Sequence, residues 1–403
     1  MSGDRGVATN GRLRVATVVT RLQAGAGAVA LRGALALDPA RYLVTLVAGR
    51  GDRSGDPLAE QARTAGIELV SEPALCSPIS PFDDVRALAR LTALCRDRGF
   101  DVVHTHSAKA GTLGRLAARR GGVPRIVHTF HGFPFHNYQS RLLHGGYVHI
   151  ERRLGRITDV ALCVGTGVSV EAVRLGLVAP ERVRTIGVPV DRMATAANPD
   201  TRKRARRTLG VPGTGPIVGA VGRLSYQKAP EDFVAAMVAL RRPDVTGVWV
   251  GGGELAERVR ALAAKAAPAA RVVLVGERHD VPDLLPAFDV FALPSRYEGL
   301  PVAIVEAMVC GIPVVATAVN AVPDVVIPGE TGLLVTPEHP EQLASAVGYL
   351  LDHPLEAARM AAAAHAAVGD RYEQHALADV LVSAYTNPSA AGGRSRAEES
   401  SCG

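Results

Sequence analysis

Residues 289–317 read DVFALPSRYEGLPVAIVEAMVCGIPVVAT, and how this stretch folds decides how the rest of the chain is read. The apolar run 289–293, stopped by Pro294, has the composition of a buried strand. Residues 301–310 are helix-forming and stop at Gly311 and Pro313, and 314–316 begin another strand. Strand, loop, helix, strand is the repeat of a parallel α/β sheet. Its loops lie at the carboxyl edge, where the following helix points unpaired N–H groups at whatever binds. Glu298, Gly299 and Leu300 occupy such a loop. Glu306 follows eight residues later, two helical turns or roughly 12 Å along the axis at ~1.5 Å per residue. Two carboxylates so placed can hold the two ends of one elongated ligand. Each also fits a plainer role, Glu298 as an acid favoured by the helix dipole and Glu306 on a solvated face.

A second loop of the same kind favours the ligand. Gly222-Arg223-Leu224-Ser225-Tyr226-Gln227-Lys228 follows the apolar strand 217–221 and precedes a helix over 231–240. Arg223 and Lys228 are thereby set at a strand's carboxyl end, where a guanidinium fork and a compact ammonium can bracket a diphosphate. The G-R-L-x3-K loop followed by the E-x7-E element resembles the carboxyl-terminal domain of the family 4 retaining glycosyltransferases, and the resemblance covers most of residues 12–386. It implies that Arg223 and Lys228 neutralise the diphosphate of a nucleotide-sugar, with Gly222 in the same loop and the backbone of Gly299 and Leu300 on the same phosphates. It further implies that Glu306 binds the ribose hydroxyls, Glu298 the donor sugar, and Arg278 the nucleobase.

Length and composition agree with two α/β domains. A chain of 403 residues that is 47% hydrophobic can bury two ordinary cores, and with aromatics at 4% those cores are built from Ala, Val and Leu. No apolar run reaches the ~20 residues of a membrane span, and no signal-peptide pattern opens the chain. Five cysteines without a C-x2-C pair point to a reduced, cytoplasmic setting. The net charge of +6 is unevenly shared: residues 1–192 carry 26 Lys and Arg against 16 Asp and Glu, residues 193–403 carry 19 against 23. A basic first half attracts anions such as phospholipid headgroups, a lipid diphosphate or an acidic carrier protein, and equally fits an Arg-rich surface without a partner. Scattered basic residues without aromatic interleaving exclude a nucleic-acid reader.

In the first half, strand 13–20 leads into Gly25, Gly27 and Ala30, a G-x-G-x-x-A spacing. The next strand, 42–48, ends without an acid and offers Arg50, so a dinucleotide reading requires NADP and an oxidoreductase. In the resembled family this glycine loop faces the cleft and approaches the donor. Strand 101–106 places His104 and His106 on one face. An H-x-H pair can ligate a metal, but no third ligand of suitable spacing follows, so His106, Ser107 and Lys109 are expected to line a cleft. After strand 125–129 comes Phe130-His131-Gly132-Phe133-Pro134-Phe135-His136. This string resembles a bacterial subset of family 4 whose members build cell-surface polysaccharide or glycolipid or decorate natural products. The resemblance implies that His131 stands beside the donor sugar, and Phe133 and Phe135 suit an acceptor lip or a membrane-dipping edge. The helix over 140–158 shows no sustained amphipathic stripe.

The expectation is therefore a GT-B fold, two facing doubly wound Rossmann-like domains with a cleft between them. Residues 1–11 form a tail, 12–190 an acceptor domain, 191–202 a linker, 203–369 a nucleotide-sugar domain, 370–386 a helix crossing back, and 387–403 a second tail. Catalytic candidates are His131, Glu298, Arg223 and Lys228; acceptor candidates are His106, Lys109, Phe133 and Phe135. No D-x-D triplet occurs, so no cofactor or divalent metal is expected. UDP-N-acetylglucosamine is the default donor on family frequency, with a small-molecule, carrier-bound or polyprenyl-linked acceptor. A non-catalytic nucleotide-sugar binder and a sugar-nucleotide epimerase remain as alternatives. One departure stands out: where many family members carry Gly-Gly after Thr317, this chain has Val319-Asn320-Ala321.

Overall fold

The computed structural model describes residues 11–22, 25–49, 56–76, 79–136, 138–188, 190, 197–211, 215–369, 372 and 374–386. Gly11 apart, the two expected tails lie outside these residues, as does Arg50. Valine-rich runs form two sheets whose described strands all pair in parallel. The first takes β1 (Leu13–Val19), β2 (Tyr42–Ala48), β3 (Glu68–Ser71), β4 (Val102–His106), β5 (Arg125–Phe130), β6 (Val160–Val164) and β7 (Val183–Ile186), in the order β3-β2-β1-β4-β5-β6-β7. The second takes β8 (Ile217–Val221), β9 (Thr246–Val250), β10 (Arg271–Gly276), β11 (Val290–Leu293), β12 (Val314–Thr317) and β13 (Leu333–Val335), in the order β10-β9-β8-β11-β12-β13. Both are doubly wound, and in both the order reverses beside the first strand. Ligands of open parallel sheets bind at that reversal, outside the carboxyl ends: β1 and β4 flank it in the first domain, β8 and β11 in the second.

The helices that shape the site start at those carboxyl ends. On the first sheet they are α1 (Ala26–Ala36), α3 (Pro81–Arg98), α4 (Ala108–Gly121), α5 (Arg141–Gly155) and α6 (Thr166–Arg174), with α2 (Pro57–Thr64) between β2 and β3. Ser140 caps α5 by accepting from the Leu143 N–H. In the second domain α8 (Pro230–Ala239) follows β8 and α11 (Val302–Val309) follows β11.

The boundary between the domains differs from the expected linker. Residues 199–202 are already the first turn of α7 (Pro199–Leu209), set by a capping box between Asn198 and Thr201 and by Pro199 at the first helical position. Arg206 of α7 then binds Asp289, which also accepts from the Ile217 N–H at 2.7 Å. At the far end, α14 (Gln374–Thr386) lies on the first domain: Gly33 of α1 sits under Leu381, Arg125 donates to the Ala384 carbonyl at 2.7 Å, and the Tyr385 hydroxyl meets His104 at 2.7 Å. One apolar cluster runs through both domains, from Val127 and Phe130 to Leu300, Ile304 and Val319, so the halves are packed together.

Candidate active site

In the second domain the two loops read from the sequence meet at the β8/β11 reversal. Lys228 Nζ lies 2.5 Å from Glu298 Oε1, with side-chain exposures of 16% and 4%, so this ion pair is largely withdrawn from solvent. Ser295 Oγ donates to the same carboxylate oxygen at 2.6 Å and Gln227 Nε2 to the other at 3.1 Å. The lysine stem lies over Gly222, where a Cβ would come within 3.2 Å of it. Gly222 is held in turn by Trp249, whose indole N–H donates to its carbonyl at 2.8 Å. The turn at Gly251-Gly252-Gly253 buttresses this loop: Leu224 N–H donates to Gly252, and a Cβ on Gly253 would strike the Leu224 carbonyl at 2.4 Å. Glu306 is half-buried on α11, two turns beyond Glu298.

The first domain contributes histidines at the β1/β4 reversal. His106 Nδ1 and His131 Nε2 are 2.9 Å apart, so one proton is shared between the rings and each fixes the other's tautomer. His104, bonded to Tyr385 and Thr129, lies behind His106 with ring centroids 4.2 Å apart and the planes tilted by 39°. Burial pulls His131 down to about 4 and His104 to about 3, the latter helped by the neighbouring His131 charge. At neutral pH His131 is thus an uncharged ring, suited to hydrogen bonding rather than to delivering a proton. His106 Nε2 is buried without a hydrogen-bond partner beside a cavity of about 10 Å³, room for one water. Among the described residues no group of three or more His, Cys, Asp or Glu is arranged to hold an ion.

The two half-sites touch. Gly299 packs so tightly on the His131 carbonyl that a Cβ would lie 1.9 Å from it, and Gly132 faces Gly299 from the other side with φ 131°. Glycine at both positions lets the backbones close, placing His131 next to the Glu298 loop. Beside this contact His136 stacks on Tyr297 at 4.1 Å, and Tyr138 approaches Tyr226 edge-on at 5.8 Å.

Several expected site residues are engaged elsewhere. Phe135 does not form a lip; it is 5% exposed, stacked on Phe133 at 4.9 Å within the core, because its loop turns inward after Gly132. Phe133 is half-buried against the same core. Lys109 pairs with Asp84 at 2.6 Å, and Arg278 is clamped in two contacts by Asp280. Arg223 is more than half exposed, with Glu254 at 3.8 Å. Gly25, φ 74°, caps α1 at the cleft edge, and Gly27 has no room for a Cβ against the Arg21 carbonyl at 2.6 Å. Sequence reading missed Ser295, Gln227 and Tyr297 as partners in this site, although all three sat inside the two quoted stretches.

Two open parallel-sheet domains, with an acid–lysine pair at one reversal and a histidine pair at the other, define a GT-B glycosyltransferase. More particularly, the chain belongs to the family 4 glycosyltransferases. Family models match it in both halves, Glycosyltransferase Family 4 over residues 24–193 and Glycosyl transferases group 1 over residues 201–367. It is 32% identical over 320 residues, 77% of this chain and 81% of the relative, to the UDP-Gal:alpha-D-GlcNAc-diphosphoundecaprenol alpha-1,3-galactosyltransferase of Escherichia coli. It is 32% identical over 318 residues, 75% and 80%, to the GDP-mannose-dependent alpha-(1-6)-phosphatidylinositol monomannoside mannosyltransferase of Mycolicibacterium smegmatis. In fold it resembles Anabaena HepE in complex with UDP and glucose, TM-score 0.78 at 21% identity, covering 92% of this chain and 98% of that one. Membership sets aside the NADP oxidoreductase reading, because the match spans both domains and names a transferase in each.

Proposed function

We propose that this glycosyltransferase moves a hexose or N-acetylhexosamine from a nucleotide diphosphate sugar to a hydroxyl or amine of a lipid-linked acceptor, with retention at the anomeric carbon. The observation that carries the donor assignment is the Lys228–Glu298 pair at the β8/β11 reversal. An ammonium has three N–H donors and Glu298 takes one, leaving two for phosphate oxygens. As the bond from the anomeric carbon to the diphosphate breaks, negative charge grows on the leaving group, and a fixed cation beside it lowers the barrier. The acceptor oxygen then bonds to the same face of that carbon, and its proton passes to the departing phosphate. Lys228, Arg223 and loop N–H groups take the place of a divalent metal in this reading. His131, neutral and adjacent to the Glu298 loop, orients the sugar.

The acceptor assignment has separate support. Both relatives named above act, by name, on lipid-linked acceptors. The starts of α3 and α5, at the carboxyl edge of the first sheet, expose Ile79, Phe82, Val85, Leu142 and Leu143 next to Arg86 and Arg141. No helix among the described residues is long and apolar enough to cross a membrane, and this exposed apolar edge is the surface we assign to lipid contact.

The test is a panel of UDP- and GDP-sugars, with UDP-N-acetylglucosamine and UDP-galactose first, read by thermal shift and slow donor hydrolysis. Lys228→Ala is expected to lower turnover by more than about tenfold while the fold persists. Near-normal turnover in that variant removes the diphosphate assignment.

A further inference from the structure

The segment after β12, where Asn320 and Ala321 stand, touches both the catalytic loop and the other domain. Asn320 is the residue that does both. Its side-chain Oδ1 accepts from the Glu298 backbone N–H at 2.8 Å. Its own carbonyl lies against Gly167 of α6 in the first domain, so close that a Cβ on Gly167 would stand 2.3 Å away. Asn320 holds φ 45°, a left-handed conformation that asparagine tolerates better than most residues with a side chain.

The contacts on either side make this one mechanical unit. From the first domain, Gly165 packs against Ala321, where a Cβ would meet the Ala321 Cβ at 2.5 Å, and the Thr166 N–H donates to the Asp324 carboxylate. From the second, Thr317 Oγ1 donates to the Ser295 carbonyl at 2.6 Å, and Ser295 in turn holds the Glu298 carboxylate. Glu298 is therefore fixed by its carboxylate through Lys228, Gln227 and Ser295, and by its backbone N–H through Asn320.

We propose that Asn320 is a positioning residue that couples docking of the two domains to placement of Glu298. When the domains are together, the Asn320 carbonyl is seated on Gly167 and its side chain holds the Glu298 amide in the orientation transfer requires. When they part, the seat is lost and the acid loosens. A small error in the placement of a group that orients the donor lowers the chemical step more than donor binding. The inference rests on the proposed role of Glu298 at the donor, so its test has one arm that needs no donor.

That arm is amide hydrogen exchange, by mass spectrometry on the full chain, of the peptide containing residues 296–300. Asn320→Gly keeps the backbone conformation and removes the acceptor. Gly167→Ala acts from the opposite domain and alters neither partner. Both are expected to speed exchange there by about fivefold, the loss of one net hydrogen bond, whereas Asn320→Asp, which keeps the acceptor oxygen, stays near wild type. With a UDP-sugar that the wild type hydrolyses, Asn320→Gly and Gly167→Ala are expected to lower kcat by about tenfold with little change in donor KM. If Gly167→Ala exchanges like wild type, the coupling between domains is overturned. If Asn320→Asp exchanges like Asn320→Gly, the side-chain contact is overturned. Should Gly167→Ala fail to fold, Asp324→Ala, which releases the Thr166 N–H, takes its place with the same expected outcome. A wild type that hydrolyses no donor counts against the proposed function, and the exchange arm then decides the coupling by itself.

Discussion

Four histidines, His104, His106, His128 and His131, are drawn below their ordinary value of 6.5, in each case chiefly by burial. An unfolded chain takes up protons on these rings below about pH 6.5, while the folded chain refuses them until about pH 4 at His131 and about pH 3 at His104, and burial holds His106 and His128 well below the ordinary value. Because the unfolded state binds more protons in that window, stability is complete above pH 6.5 and is lost as pH falls toward 4. Each ring contributes a slope of up to about 1.4 kcal/mol per pH unit. The urea midpoint is expected to hold steady from pH 8 to about 6.5 and then drop steeply, and a flat profile down to about pH 5 would contradict the burial of these rings. Part of this was legible. Strand alternation put His104 and His106 on one face. The His106–His131 bond was not, because it joins loops from two strands and depends on their register.

Between elements, the most consequential polar contact is Arg115 of α4 with Glu151 of α5. The pair is 2.7 Å apart with side-chain exposures of 0% and 3%, and Arg115 also donates to the Gly111 carbonyl at 2.8 Å. Desolvation lowers the arginine's hold on its proton, and Glu151 opposes that. Glu151→Ala leaves a buried cation unpaired and is expected to destabilise the fold by about 3–5 kcal/mol in chemical denaturation. Replacing both residues by Met and Leu is expected to be near neutral. The sequence could not announce this pair, since an arginine in a charged helix reads as solvated. It was more informative about strands: the apolar runs before Gly222 and Pro294 both became strands that end just ahead of those residues. Strand β3 went unread because it has four residues, none of them buried. Helix α7 went unread because its charged text hides the two core contacts, Ala205 and Leu209, that anchor it.

At the scale of the whole molecule, charge and exposed apolar surface lie in the same domain. Residues 1–192 carry the excess of 26 basic over 16 acidic residues, and the same half exposes Phe82 at 91% and Leu142 at 89% at the starts of α3 and α5. The sequence showed the charge but not the apolar edge, because Leu142 and Leu143 form no long stripe and only the fold brings the starts of both helices to one edge. An apolar-tipped edge on the basic domain, with Arg86 and Arg141 at its helix starts alongside Asp83 and Asp84, suits a membrane that presents the acceptor: the domain's excess of cations draws the protein to anionic headgroups and the apolar tips insert. Vesicles containing phosphatidylglycerol are therefore expected to bind the protein more tightly than phosphatidylcholine vesicles, with affinity falling as salt rises. Burying a Phe or Leu side chain contributes about 1.5–3 kcal/mol, so Phe82→Asp together with Leu142→Asp is expected to weaken vesicle binding by more than about tenfold. Hydrolysis of the soluble donor should be unaffected by that pair, since neither residue reaches the Lys228–Glu298 loop. Equal binding of the double variant and wild type in a sedimentation assay would remove this edge as the membrane contact and leave the acceptor to diffuse to the cleft unaided.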